Sequence, residues 1–179
     1  MRDLNLALLL AAMLCACGGN PYGYAPQYAP LSEEEPHFEK GVELSYEDVR
    51  RDPLGHQSQT LAWFGVVEDV KPIGSSGQVR VSMNLRFHQP RHLCSDQFDN
   101  SCRVTISDKT GGPFSAILTL RAEDRSGRDR VYGGSLLKVY GQVTTEYDDR
   151  GGPIVRATYY RHWPNGTYVN TRRSTNMRR

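Results

Sequence analysis

From residue 61 onward the chain alternates between apolar and polar positions. The clearest run is Gln78 to His88. There Val79, Val81, Met83, Leu85 and Phe87 are apolar, and Gln78, Arg80, Ser82, Asn84, Arg86 and His88 lie between them. Strict period two turns one face of an extended segment inward and leaves the other in water, so this run predicts a strand. Before it, LAWFGVVEDV is more continuously apolar, with Gly65 at a position suited to a bulge or sharp bend. PIGSSGQ is expected to turn between the two. Further strands are expected at CRVTISD and FSAILTLRA, joined by a turn at DKTGGP, and at SLLKVYGQVTTEY and IVRATYYRHW, joined by DDRGGP. Alternation along the last segment puts Val155, Ala157 and Tyr159 on one face.

Upstream the pattern changes. In SYEDVRRD, Ser45 stands three places before Asp48, a relative of the helix capping box, and Pro53 follows, so a short helix is predicted over 45–52. The stretch from Gly18 to Lys40 keeps neither period. Pro, Tyr and Gly recur there around an acidic cluster, Glu33 to Glu35, with little to bury. That composition predicts a flexible tether reaching on the order of 25 to 30 Å. About five or six strands with almost no helix after residue 53 predict a mainly β fold, a small antiparallel barrel, because closure removes exposed sheet edges.

Composition adds limits. A formal charge of +2 over 179 residues gives no general drive toward nucleic acid, and none is expected as a partner. The apolar run Leu6 to Leu14 follows Arg2 and is too short to span a bilayer, which needs roughly 20 residues, so it reads as a secretory signal.

Where that run ends, Leu14-Cys15-Ala16-Cys17 resembles the lipobox of bacterial lipoproteins. Cys15 fits the modified position badly, because Met13 and Leu14 are bulky where the peptidase prefers small residues. The resemblance implies cleavage between Ala16 and Cys17, a diacylglyceryl thioether on Cys17 and acylation of the new amine. Several acyl chains anchor stably where one is marginal. Gly18 follows the cysteine in place of the aspartate that retains many such proteins in the inner membrane, which implies the outer membrane. The expected division is a signal peptide over 1–16, a lipidated tether over 17–40, the barrel over 41–168 and a basic tail over 169–179. The barrel itself resembles the OB-fold in its long strands and in the phrase Lys138-Val139-Tyr140-Gly141-Gln142-Val143. Asp52-Pro53, Gly55 and Trp63-Phe64-Gly65 are also loosely similar to the start of the Slp outer-membrane lipoprotein family, with Phe64 departing from that pattern.

Candidate chemistry is sparse. His88, His92, Cys94 and Cys102 form the compact set of metal-type ligands, but their spacing matches none of the usual zinc arrangements. In an oxidising compartment Cys94 and Cys102 are expected to form a disulfide closing a loop with Asp96, Phe98 and Asp99; zinc binding and free thiols are the alternatives. Glu123-Asp124 and Asp148-Asp149 are acidic pairs in turn-like settings, read as solvated loop tips. No nucleophile motif, phosphate loop or dinucleotide fingerprint appears, so no catalysis and no cofactor are expected. Arg156, Tyr159, Tyr160, Arg161, His162 and Trp163 could together form a recognition face, and Arg172, Arg173, Arg178 and Arg179 could touch anionic lipid. The expected function is a lipid-anchored envelope protein whose barrel binds an envelope protein, peptidoglycan or lipopolysaccharide. The alternative is a ligand-binding module for an oligosaccharide, a cell-wall fragment or a metal.

Overall fold

The computed structural model describes residues 22–74, 77–94 and 102–174, with the side chains of 173 and 174 excepted. Its elements are α1 (Glu35–Phe38), α2 (Tyr46–Arg51), a 3-10 turn (Leu54–His56), β1 (Leu61–Ile73), β2 (Gln78–His88), β3 (Thr105–Thr119), α3 (Ala122–Arg125), β4 (Leu136–Tyr147), β5 (Pro153–Trp163), β6 (Val169–Asn170) and α4 (Thr171–Ser174).

The first five strands close on themselves. β1 pairs antiparallel with β2 and β4, β2 with β3, and β4 with β5, and a short parallel pairing of β3 with β5 completes the ring. With α3 between β3 and β4, this is the order of an OB-like barrel, as the long alternating strands predict. Interior positions fill one core: Trp63 and Val67 from β1, Val79 to Leu85 from β2, Phe114 to Leu118 from β3, Leu137 to Val143 from β4, and Val155 and Tyr160 from β5. Gly65 lies against the Phe114 ring, and a Cβ on Gly141 would collide with the Arg156 carbonyl, so both strand glycines mark close approaches that a side chain would block.

Helix α2 forms where Ser45 and Pro53 bound it, although the Ser45 side chain makes no capping hydrogen bond. Tyr46 and Val49 plug the end of the barrel, with the Tyr46 hydroxyl donating to Pro113 O at 2.8 Å.

Four expectations are corrected. DKTGGP is no turn: β3 runs unbroken through it with register shifts, and Gly112 takes φ +132° beneath the Tyr46 ring. Glycine and proline here mark irregularity inside a strand. In β5 the register shifts between Ala157 and Tyr159, which turns Tyr160 into the core and Tyr159 out of it. The segment expected as a tether over 17–40 packs on the barrel from Tyr22 onward, because aromatic rings and one carboxylate find partners there. The tail expected from 169 begins as structure, with Val169 4% exposed and β6 pairing parallel with β3.

That packing builds a second core outside the barrel wall. Phe64, Leu136 and Trp163 face away from the interior and are covered by Tyr22, Tyr28, Val104, Ile106 and Tyr168.

Candidate functional site

Alternation sends Phe64, Lys138, Tyr140 and Arg161 to the outer wall, while their neighbours Trp63, Val139 and Tyr160 point inward. Residues 22–40 form a strap across this wall, and Glu34 is its centre, fully buried. One Glu34 oxygen accepts from the Tyr28 hydroxyl and from the Tyr140 hydroxyl at 2.5 Å. The other accepts from Arg161 Nη1 at 2.9 Å and from the Leu31 amide at 3.2 Å. Lys138 Nζ stands 4.0 Å from Glu34 and 4.0 Å from the Tyr28 ring centre, with Phe38 at 4.7 Å and Phe64 and Tyr140 at 5.0 Å. Burial lowers the Lys138 pKa to about 8, against the pull of Glu34, and pushes the Tyr28 and Tyr140 phenols above their usual range. Two phenols, a guanidinium and a caged ammonium thus hold an anion that the chain itself supplies.

Beside the cage, His88 stacks on Phe64 and its Nε2 lies 3.0 Å from His92 Nε2. His92 Nδ1 lies 2.9 Å from Ala25 O, which makes it the donor there and leaves Nε2 to accept from His88. Burial first, then His92 and Lys138, lower the His88 pKa to about 4. Burial also lowers that of His92. Cys94 and Cys102 are joined as a disulfide, so neither offers a thiolate to a metal. Among the described residues no group of three or more His, Cys, Asp or Glu is placed to hold an ion. The loop residues Asp96, Phe98 and Asp99 lie outside the described residues, as do Ala16, Cys17, Arg178 and Arg179.

At the α3 end of the barrel, Asp124 Oδ1 lies 2.7 Å from His162 Nδ1, and His162 Nε2 lies 3.1 Å from Ser135 Oγ. The order carboxylate, imidazole, hydroxyl matches that of a nucleophilic triad. Ser135 is fully buried, however, and its oxygen also accepts from the Tyr132 amide at 3.3 Å. Asp124 further accepts from Tyr160 OH at 2.5 Å and Arg121 Nε at 3.1 Å. Burial opposes ionisation of Asp124, and the bonds from His162 and Tyr160 with the Arg121 charge outweigh it, holding its pKa below the usual carboxylate range. These bonds fasten the β3–β4 connection to β5. Asp148 serves likewise, accepting from Ser115 Oγ at 2.7 Å and Gly152 N at 2.9 Å to close the β4–β5 turn. Neither Asp124 nor Asp148 is the solvated loop tip that its sequence setting predicts.

An open surface remains where β1 and β2 diverge above α2. A cavity of about 430 Å³ is lined there by Leu44, Tyr46, Trp63, Phe64, Leu85 and Phe87, with Glu43, Glu47, Arg86 and His88 at its margin. Phe87 is 51% exposed and Val42 46% exposed beside it. Trp63 offers little to a polar ligand, since its ring is buried and its Nε1–H donates to Leu44 O at 2.8 Å.

The face expected from Arg156 to Trp163 does not form. Tyr160, Arg161, His162 and Trp163 are buried, Tyr159 stacks on His37, and Arg156 alone of the set is exposed. Glu34, Lys138 and Ser135 escaped the reading of the sequence. The outward position of Lys138 was visible in the alternation of β4, but nothing local says that the outer wall is covered.

No protein-family model matches this chain, and no curated protein matches it significantly. Among solved structures, a small single-stranded DNA-binding protein from Streptomyces coelicolor is similar at a TM-score of 0.35 and 15% identity, over 58% of this chain and 91% of that one. A likeness of that degree says nothing about a ligand for this chain.

Proposed function

We propose that this is a non-catalytic lipoprotein of the bacterial cell envelope, anchored in the outer membrane through acylated Cys17, whose barrel binds an envelope protein. The observation that carries the reading is the lipobox ending at Cys17, five residues before Tyr22, where the strap meets the barrel. The Cys94–Cys102 disulfide supports an oxidising compartment, outside the reducing cytosol. The groove beneath Phe87 favours a protein over a sugar, because its lining is mainly apolar and its one indole N–H is already engaged. A sugar site would present free donors and exposed ring faces.

Two experiments in cells test this. Cys17→Ala should release the chain from the membrane fraction, and retention with an unchanged phenotype sinks the anchor. A photo-crosslinker replacing Phe87 should trap one dominant envelope protein; a crosslinker at exposed Glu146 should not. Isothermal titration with cell-wall fragments and with zinc addresses the ligand-binding alternative. Heat of binding in either case would replace the protein partner with that ligand.

A further inference from the structure

Accepting the proposed anchor at Cys17, the geometry points to which end of the barrel faces the bilayer. The end built by the β3–β4 connection and the turn after β5 rests against the lipid headgroups, and the β4–β5 hairpin points away. Tyr22 stands five positions after Cys17, and in any conformation that length of chain spans at most about 18 Å. Tyr22 is fastened to the barrel by Trp163 Nε1, which donates to its carbonyl at 3.0 Å, and Tyr24 lies under the Arg103 guanidinium at 6.0 Å. Tyr22 borders a cavity of about 390 Å³ with Arg121, Glu123, Arg128, Asp129 and Pro164, so these residues share the exit of the leash.

Trp163 is the last of the eleven residues of β5. A strand of that length covers roughly 35 Å, or about 25 Å along the axis of a barrel with its usual tilt. At its other end the β4–β5 hairpin meets α2, where Tyr147 OH donates to Arg50 O and Arg50 Nε to Gly151 O. A barrel standing on that hairpin would hold Tyr22 farther from the headgroups than the leash reaches. The exit end carries Arg103, Arg121, Arg125, Arg128 and Arg130 against Glu123, Asp124 and Asp129, a small positive excess that meets no net opposite charge on a phosphatidylcholine surface. The half-exposed rings of Tyr22 and Tyr24 suit the headgroup layer, where tyrosine is enriched. Leash length, more than electrostatic attraction, therefore sets the orientation, and salt should leave it in place.

The test uses the mature chain from Cys17 onward, its disulfide intact, coupled through the Cys17 thiol to a maleimide lipid in phosphatidylcholine nanodiscs. A nitroxide-headgroup lipid then broadens nearby amide resonances. The expected result is severalfold stronger broadening at 123–129 and 165–167 than at 148–151, unchanged in high salt. Inserting about a dozen Gly and Ser residues between Asn20 and Pro21 should erase the difference, because the longer leash exceeds the barrel height. Equal or reversed broadening in the unmodified chain overturns the proposal. So does a difference that survives the insertion, since surface affinity would then be its cause. The chemical coupling keeps this result separate from lipidation in cells. A chain recovered from membranes with Cys17 unmodified would defeat the proposed function and leave the measured orientation as it stands.

Discussion

The barrel interior and the strap-covered outer wall are two cores built on opposite plans. Inside, Phe114, Met83, Val81 and Val139 are fully buried and apolar, and stability comes from packing. On the wall, a buried carboxylate, ammonium and guanidinium sit among aromatic rings, each satisfied only while the others stay in place. An apolar core tolerates a neighbour of different shape better than a buried charge tolerates a missing partner. The interior therefore fixes the fold, and the wall fixes where residues 22–40 lie.

Truncation gives the largest effects. Phe114→Ala should cost about 3 to 5 kcal/mol of global stability in denaturant unfolding, by opening a cavity between Trp63 and Gly65. Glu34→Ala should cost a similar amount, about 3 to 5 kcal/mol, by leaving Lys138 and Arg161 buried without their anion. The two should differ under limited proteolysis: Glu34→Ala opens the strap to cleavage while the barrel survives, and Phe114→Ala exposes both together. Identical cleavage patterns would erase the distinction between the cores.

pH separates them next. The neutral His88 ring is favoured by its burial in the wall, with its pKa at about 4, below the ordinary imidazole value. Its contribution is whole above about pH 6.5 and is lost as pH falls toward 4, a decline on the order of 2 kcal/mol that His88→Phe should flatten. Lys138 acts in the alkaline window. The unfolded chain holds that proton longer than the folded one, so stability should rise by about 2 kcal/mol from about pH 8 to 10, and Lys138→Met should remove the rise. Inside, burial holds the Tyr46 and Tyr160 phenols above their ordinary value, so their contribution changes only from about pH 10 upward and in the opposite sense.

Smaller effects follow. Replacing Cys94 and Cys102 together by serine should cost roughly 2 to 3 kcal/mol in thermal or denaturant unfolding, the chain-entropy value for a loop of nine residues. Ser45→Ala should change stability by less than about 0.5 kcal/mol, because the hydroxyl caps nothing although the sequence suggests that it does.

How much could be read beforehand follows the same division. β2 was legible residue by residue because one face meets the core and the other meets water. β3 was misread because Gly111, Gly112 and Pro113 look like a turn, while cross-strand pairing to β2 carries the chain straight through. Alternation puts Tyr159 on one face with Val155 and Ala157, because a bulge at Thr158 leaves no mark in the sequence. Glu34 was invisible as a site: its partners Tyr140 and Arg161 lie 106 and 127 residues away, and its own neighbourhood of Pro, Tyr and Glu looks like a solvated spacer. The disulfide was readable from compartment and spacing. The His162 network was not, because no local pattern links Asp124, Ser135 and His162.

The central claim is the lipid on Cys17, and intact-mass spectrometry of the protein recovered from outer membranes tests it most directly. The account predicts a single species starting at Cys17, heavier than residues 17–179 by a diacylglyceryl group and one further acyl chain, and lighter by two hydrogens for the Cys94–Cys102 bond. An unmodified chain, or one cut elsewhere without lipid, would contradict it.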